Sequence, residues 1–237
     1  MKRFFRIISA VLLISVTLGS VSSCKSIKET VQKIFEKDRE YNEAEVISAA
    51  KELLSKAQRL NEIYYGKGIE YDPDGYTSGI YTAASAESLG QLAVTSIEDL
   101  KRETLDVFSD KWASVMFNSV LSSVNYSEIT HYARYYEFKK NGENVIMVNR
   151  SYEYYLKGSI EYLDGIYVKD VEGQEIVLSV PVILTSESGK TKKKNIEVRM
   201  IEESDGWRFS SGCDAVYNES SDIYEDLENE LDGMFPR

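Results

Sequence analysis

The chain has one histidine, two cysteines and three prolines in 237 residues. One histidine and two thiols are too few ligands for a zinc site. Two cysteines cannot build the disulfide framework of a small secreted fold. No apolar run reaches the ~20 residues that a membrane-spanning helix needs. Basic residues are also scarce, 28 Lys and Arg against 39 Asp and Glu, for a formal net charge of −11. Nucleic acid is therefore excluded as a partner, because its binding is driven by counterion release onto Lys and Arg. The hydrophobic fraction of 43% and charged fraction of 28% are those of a globular chain, long enough for one sizeable core.

The amino terminus is the most specific part of the sequence. Lys2, Arg3 and Arg6 precede an apolar run from Ile7 to Gly19. At about 1.5 Å per residue this run covers only ~20 Å of a ~30 Å hydrocarbon layer, which suits a signal h-region and not a span. Val21-Ser22-Ser23-Cys24 then places an aliphatic residue and two small ones before a thiol. This stretch resembles the lipobox of bacterial lipoproteins. The resemblance implies acylation of Cys24, cleavage before it, and a chain anchored to the cell membrane or outer membrane from outside the cytoplasm. The competing reading is an ordinary cleaved signal with a chance cysteine. Cleavage would remove three positive charges and no negative ones, taking the net from −11 to −14. It would leave Cys213 as the free thiol, expected to be a buried small hydrophobe.

The chain divides into a signal peptide (1–23), a lipid-anchored tether (24–42), a globular domain (43–217) and an acidic tail (218–237). The tether carries a thin apolar stripe at Ile27, Val31, Ile34 and Phe35, compatible with partial helix or a packed extra helix. From Glu43, residues Val46, Ala50, Leu53, Ala57, Leu60 and Tyr64 recur at steps of four and three, the mark of one buried helical face. Gly66 and Gly68 end that helix. Residues 66–95 have no sustained period, and an irregular segment of this length often serves function. Thr95-Ser96-Ile97-Glu98 reads as a capping box with Thr95 at its head, opening a helix whose inner face holds Ile97, Leu100, Thr104, Val107 and Phe108. Ser109 caps another, with Trp112, Val115, Met116, Ser119 and Val120 on one side.

After about residue 130 the period changes to two. Asn141-Gly142 lies between Ala133–Lys139 and Val145–Asn149, a strong hairpin signal. Further strands are expected over Gly165–Val171, Glu175–Thr185, Thr191–Glu203 and Trp207–Tyr217. Ile196, Val198 and Met200 alternate with Glu197 and Arg199, so one face of that strand should be wet. Pro181 demotes its strand to an edge or a bulge. The tail around Ile223, Leu227 and Leu231 suggests a short helix. Helices first and a twisted antiparallel sheet second define an α+β fold in a single domain.

The basic-polar hairpin and Gly-Trp-Arg-Phe strand within Ser179–Ser211, the helix before Tyr64-Tyr65-Gly66-Lys67-Gly68, and Ile97–Phe108 after it resemble the IseA-like inhibitors of cell-wall DL-endopeptidases. More loosely they resemble nuclear-transport-factor-like cone domains of lipoproteins. Such a resemblance implies a non-catalytic binding protein that occludes a wall hydrolase.

Chemistry-bearing motifs are few. No G-x-S-x-G elbow, P-loop or H-E-x-x-H occurs. A Cys213/His131 dyad oriented by Asp214 is conceivable on residue types alone. Asp72-Pro73-Asp74-Gly75 hints at a calcium loop, but an EF-hand would need a carboxylate where Ala83 stands; an Asp-Pro-Asp-Gly turn is the alternative. No cofactor is implied. Asn-X-Ser triplets at Asn125, Asn149 and Asn218 mean little in a bacterial-type lipoprotein. Tyrosine is the compositional oddity, with 17 in the chain, nine of them between Tyr126 and Tyr167. Half-buried sheet positions suit tyrosine. A rigid amphipathic contact surface is the functional reading, formed by Tyr64, Tyr65, Tyr71, Tyr76, Tyr81, Tyr135 and Tyr154. Its partner would be an envelope protein or a cell-wall fragment. The alternatives are a cone-shaped pocket that binds or transforms a small molecule with His131 or a buried carboxylate as acid or base, and a structural module of an envelope assembly.

Overall fold

The computed structural model describes residues 41–126, 129–218 and 223–226; Cys24, the signal segment and nearly all of the tether lie outside them. Helix α1 runs Glu43–Tyr64. Asn42 caps it by accepting the Ala44 N–H at 3.2 Å, and the whole expected stripe from Val46 to Tyr64 is buried. The segment after it is more ordered than its sequence suggests. It holds β1 (Thr77–Ser78), β2 (Tyr81–Ala83) and the short α2 (Ala86–Gln91), capped by Ser85. Two- and three-residue strands are too short to show a period.

Helix α3 spans Ile97–Val107, and its cap is Ser96, one residue later than expected. The Ser96 hydroxyl accepts the Asp99 N–H at 3.0 Å, while Thr95 donates its hydroxyl to Asp99 Oδ2 at 2.5 Å. Glu98 plays no capping part there, because Asp99 occupies the third helical position. Helix α4 (Asp110–Val120) is capped by Ser109 as expected, with Trp112, Met116, Ser119 and Val120 buried.

Two antiparallel sheets follow, so the fold is mixed α+β. The first combines β1 and β2 with β5 (Tyr135–Lys140) and β6 (Glu143–Asn149) in the order β1-β2-β6-β5. Asn141 and Gly142 take positive φ (55° and 90°) and close the β5–β6 hairpin in the Lys140↔Glu143 register. A small ribbon of β3 (Val124–Tyr126) and β4 (Ile129–His131) lies apart.

The second sheet curls strongly. It contains β7 (Ser159–Tyr162), β8 (Tyr167–Glu172), β9 (Glu175–Thr185), β10 (Thr191–Glu203) and β11 (Gly206–Phe209). In β10, Ile196, Val198 and Met200 are buried while Glu197 is exposed. They sit opposite Val180, Leu178 and Ile176 on the same face of β9, and α1 lies against β8 and β11.

Three expectations fail here. Pro181 does not put β9 at an edge, since β9 pairs with β10 along its length and with β7 and β8 on its other side. Partners on that side are Val182–Thr185 for β7 and Glu175–Ser179 for β8, so the proline fills the break between them, where no ladder bond is lost. Its carbonyl still accepts the Leu163 N–H at 2.8 Å. The strand expected over Trp207–Tyr217 is broken after Phe209 and resumes as β12 (Ala215–Asn218), because Cys213 turns the chain with φ 44°. Ile223–Asp226 is strand β13 paired with β12, not helix; Leu227 and Leu231 lie outside the described residues.

Helices α1 and α3 have no basic residue in their last turns, although the negative end of a helix dipole favours a cation. Two arginines distant in sequence supply it, Arg208 on β11 and Arg134 just before β5. Arg208 Nε donates to Leu105 O at 2.9 Å. Arg134 Nη1 donates to Tyr64 O at 2.9 Å, and its Nη2 to Lys67 O.

Candidate functional site: a row of rings and a cationic cleft

Alternation along β5 decides which tyrosines can meet a partner. Tyr135 points inward and is fully buried, as are Tyr64 and Tyr65. These three are core residues and cannot form a contact surface. The Tyr135 hydroxyl donates to Ile63 O at 2.9 Å and accepts the Ile69 N–H at 3.0 Å. Tyr64 shares a 3.0 Å hydrogen bond with the Thr104 hydroxyl, and Tyr65 accepts from Ser119 at 3.3 Å. Burial pushes the Tyr135 phenol up to about 12 and holds Tyr64 and Tyr65 higher still, so all three stay neutral.

On the other face of β5, Tyr136 and Phe138 stand two residues apart and half-buried. Tyr81 from β2 packs edge-on to Tyr136, with centroids 4.7 Å apart. Phe138 lies 6.3 Å from Tyr136 and 5.7 Å from Tyr76. Lys140, again two residues on, sets its ammonium 4.3 Å from the Tyr76 ring centre. The result is a continuous row, Tyr81–Tyr136–Phe138–Tyr76–Lys140, on one face of the four-stranded sheet. Met147 is cross-strand from Tyr136 and buried, so the row has an apolar floor. The Tyr81 hydroxyl donates to Ala133 O at 2.8 Å, which fixes the first ring. Tyr76 is 46% exposed. Such a row presents a preordered amphipathic surface. The sequence alone singles out Tyr76 and Tyr81 but not Tyr136, Phe138 and Lys140. Their period of two was visible; which face turned outward was not.

Tyr71 and Tyr154, both exposed, line a cleft of about 440 Å³ together with Tyr152, Arg134, Arg150 and Lys67. Arg134 is 4% exposed, and its guanidinium carbon lies 5.0 Å from the ring centres of both Tyr135 and Tyr152. Gly68 makes this seat possible. It has φ +67°, and a Cβ there would strike the Tyr135 hydroxyl and Arg134 Nη2.

A groove runs along α1 on another side of the molecule. At one end it is lined by Glu62, Gly158 and Asp214, and Gln58 reaches across to donate to Ile160 O at 2.8 Å. Asp214 is 7% exposed, and burial pushes its carboxyl up to about 7 against donation from the Ala215 N–H and Asn61. Cys213 beside it is buried, and desolvation raises its thiol well above the usual range. That keeps it protonated and poorly nucleophilic, as expected of a packed thiol. His131 sits in β4 opposite Val124; its side chain lies outside the described residues. In the Asp72–Gly75 segment, Asp72 Oδ1 accepts the Asp74 N–H at 3.0 Å and Asp72 O accepts the Gly75 N–H at 2.9 Å. This is the geometry of an Asx turn. Among the described residues no group of three or more His, Cys, Asp or Glu could hold a metal ion.

No protein family, curated protein or solved structure matches the chain.

Proposed function

We propose that this chain is a lipid-anchored binding module of the cell envelope that grips an envelope protein or a cell-wall fragment without transforming it. The observation that carries this reading is the ring row from Tyr81 to Lys140. Part-exposed aromatic rings fixed by neighbours lose little conformational entropy on binding, and such residues dominate interface energetics. In this reading Cys24 holds the domain to the cell membrane or outer membrane through acyl chains, each buried methylene contributing ~0.8 kcal/mol. The mature charge of −14 keeps the folded part off anionic lipid. The curled sheet with α1 against it is read as the nuclear-transport-factor-like or IseA-like arrangement. The partner implied by that likeness is a wall hydrolase, covered by the rings that border residues 66–95.

Capture from a native envelope extract onto the full-length protein in detergent tests the reading, with a wall-hydrolase assay on what is captured. The double variant Tyr76→Ala/Tyr136→Ala should lose most of the captured material. Equal capture by both proteins, or no capture and no inhibition at micromolar protein, would remove the ring row as the contact surface.

A further inference from the structure

The cleft behind Arg134 is separate from the ring row and has a different chemistry. Its lining holds three cationic side chains, Lys67, Arg134 and Arg150, and one carboxylate, Glu70. This is a locally positive recess in a chain of net charge −11. Lys67 is paired with Glu70. Among the described residues Arg134 and Arg150 have no carboxylate partner. Both spend donors on backbone carbonyls instead, Arg134 on Tyr64 O and Lys67 O, Arg150 on Gly79 O at 2.7 Å. A guanidinium has five N–H donors, so each retains capacity for an acceptor in the cleft. Arg134 is held rigidly between two rings, so it loses little freedom when it takes one.

The remaining wall is aromatic. Tyr71 and Tyr154 are 43% and 38% exposed at the mouth. Tyr152 also lines the cleft, its ring edge-on to Tyr155 with centres 6.2 Å apart. Cations on one wall and rings on the other suit a carboxylate attached to an apolar or aromatic body. The volume lies within the range of small-ligand sites.

We propose that this cleft binds the free carboxylate end of a peptide, with the carboxylate toward Arg134 and Arg150 and the terminal side chain between Tyr71 and Tyr154. The inference does not rest on the ring row.

N-acetyl-tyrosine is the probe, titrated calorimetrically into the full-length protein in detergent at low salt, beside N-acetyl-tyrosine amide, acetate and inorganic phosphate. The acid should bind, and the amide should bind about tenfold more weakly or worse, the loss expected for a charged hydrogen-bond acceptor. Acetate, lacking the ring, should also bind at least about tenfold more weakly. Arg134 closes the end of α1, so Arg150→Gln and Tyr154→Ala are the variants, and each should weaken the acid about fivefold or more. Glu70→Gln frees Lys67 and should tighten it, an outcome that general loosening of the fold would not produce. Equal binding of acid and amide, phosphate tighter than the acid, or variants indistinguishable from the parent would each overturn the proposal.

Discussion

Replacing Asp214 with asparagine should abolish a large part of the pH dependence of stability between about pH 4 and pH 7. The carboxyl has a reference value of 3.8 and is pushed up to about 7 in the folded protein, chiefly by burial. Between these values the folded state binds a proton that the unfolded state has released, so stability falls as pH rises through the window. The stabilising contribution is full below pH 4 and lost above the folded value. The step from 3.8 to about 7, at ~1.4 kcal/mol for each tenfold change in proton affinity, corresponds to about 4 kcal/mol. The surroundings explain the direction. Asn61 on α1 donates its amide N–H to Gly212 O at 2.6 Å, while its Oδ1 is buried and has no hydrogen-bond partner among the described residues. A protonated Asp214 offers the donor that this region lacks, and Glu62, the nearby acid, opposes ionisation further. The introduced amide supplies donors at every pH and still accepts the Ala215 N–H. Urea unfolding of the full chain at pH 4 to 8, followed through the buried Trp112 and Trp207, compares the two proteins. The variant should match the parent at pH 4 and exceed it by several kcal/mol at pH 8. Parallel loss of stability in both proteins would show that Asp214 ionises as an ordinary carboxyl, and the burial argument would fail.

Gly68→Ala should cost at least about 1–3 kcal/mol of unfolding free energy, since φ +67° is strained for alanine and the methyl meets Arg134 and Tyr135; a denaturation midpoint unchanged from the parent would refute this. Leu178→Ala in the centre of β9, fully buried, should cost about 2–5 kcal/mol by the same measurement. Cys213 should resist a thiol reagent at pH 8 in the folded protein and react on unfolding in urea, because the thiol is buried and held protonated; rapid native labelling would contradict that. Cys24→Ala should move the protein from the membrane fraction to the soluble one, and persistence in the membrane would dismiss the lipid anchor.

Helices and long strands were legible because each buries a face with its own period. All of α1, the cap at Ser109, the Asn141-Gly142 turn and the full extents of β9 and β10 follow from spacing and turn chemistry. What escaped has identifiable causes. Strands β1, β2 and β7 have two, three and four residues, too few to establish alternation. A local rule misplaces Pro181, because its position depends on where two other strands stop pairing with β9. The capping shift from Thr95 to Ser96 reflects competition between adjacent hydroxyls, settled when Glu137 on β5 accepts the Ile97 N–H at 2.6 Å. The proline and the cap are each decided by a partner distant in sequence.

The tyrosines make the same point for function. Tyr64 ends the buried stripe of α1 and yet is also a candidate for the contact surface with Tyr65; both rings are core, and Gly68 is the seat of Arg134. α1 ends there without a basic residue of its own, so an arginine must come from elsewhere to meet its terminal carbonyls. Arg134 does this from the residue before β5, and Tyr135, next in the chain, fills the space beneath while bonding Ile63 and Ile69. Once Tyr135 is committed inward, alternation sends Tyr136 and Phe138 outward. Closure of a helix end thus determines both the orientation of the ring row and the placement of a buried guanidinium at the floor of a cleft. If that chain of dependence is correct, Gly68→Ala should disturb the cleft before the ring row: N-acetyl-tyrosine binding should weaken even under conditions where the variant remains folded, while capture through Tyr76 and Tyr136 persists. Simultaneous loss of both in a folded variant would mean that the two surfaces are held by a common framework rather than through the seat of Arg134.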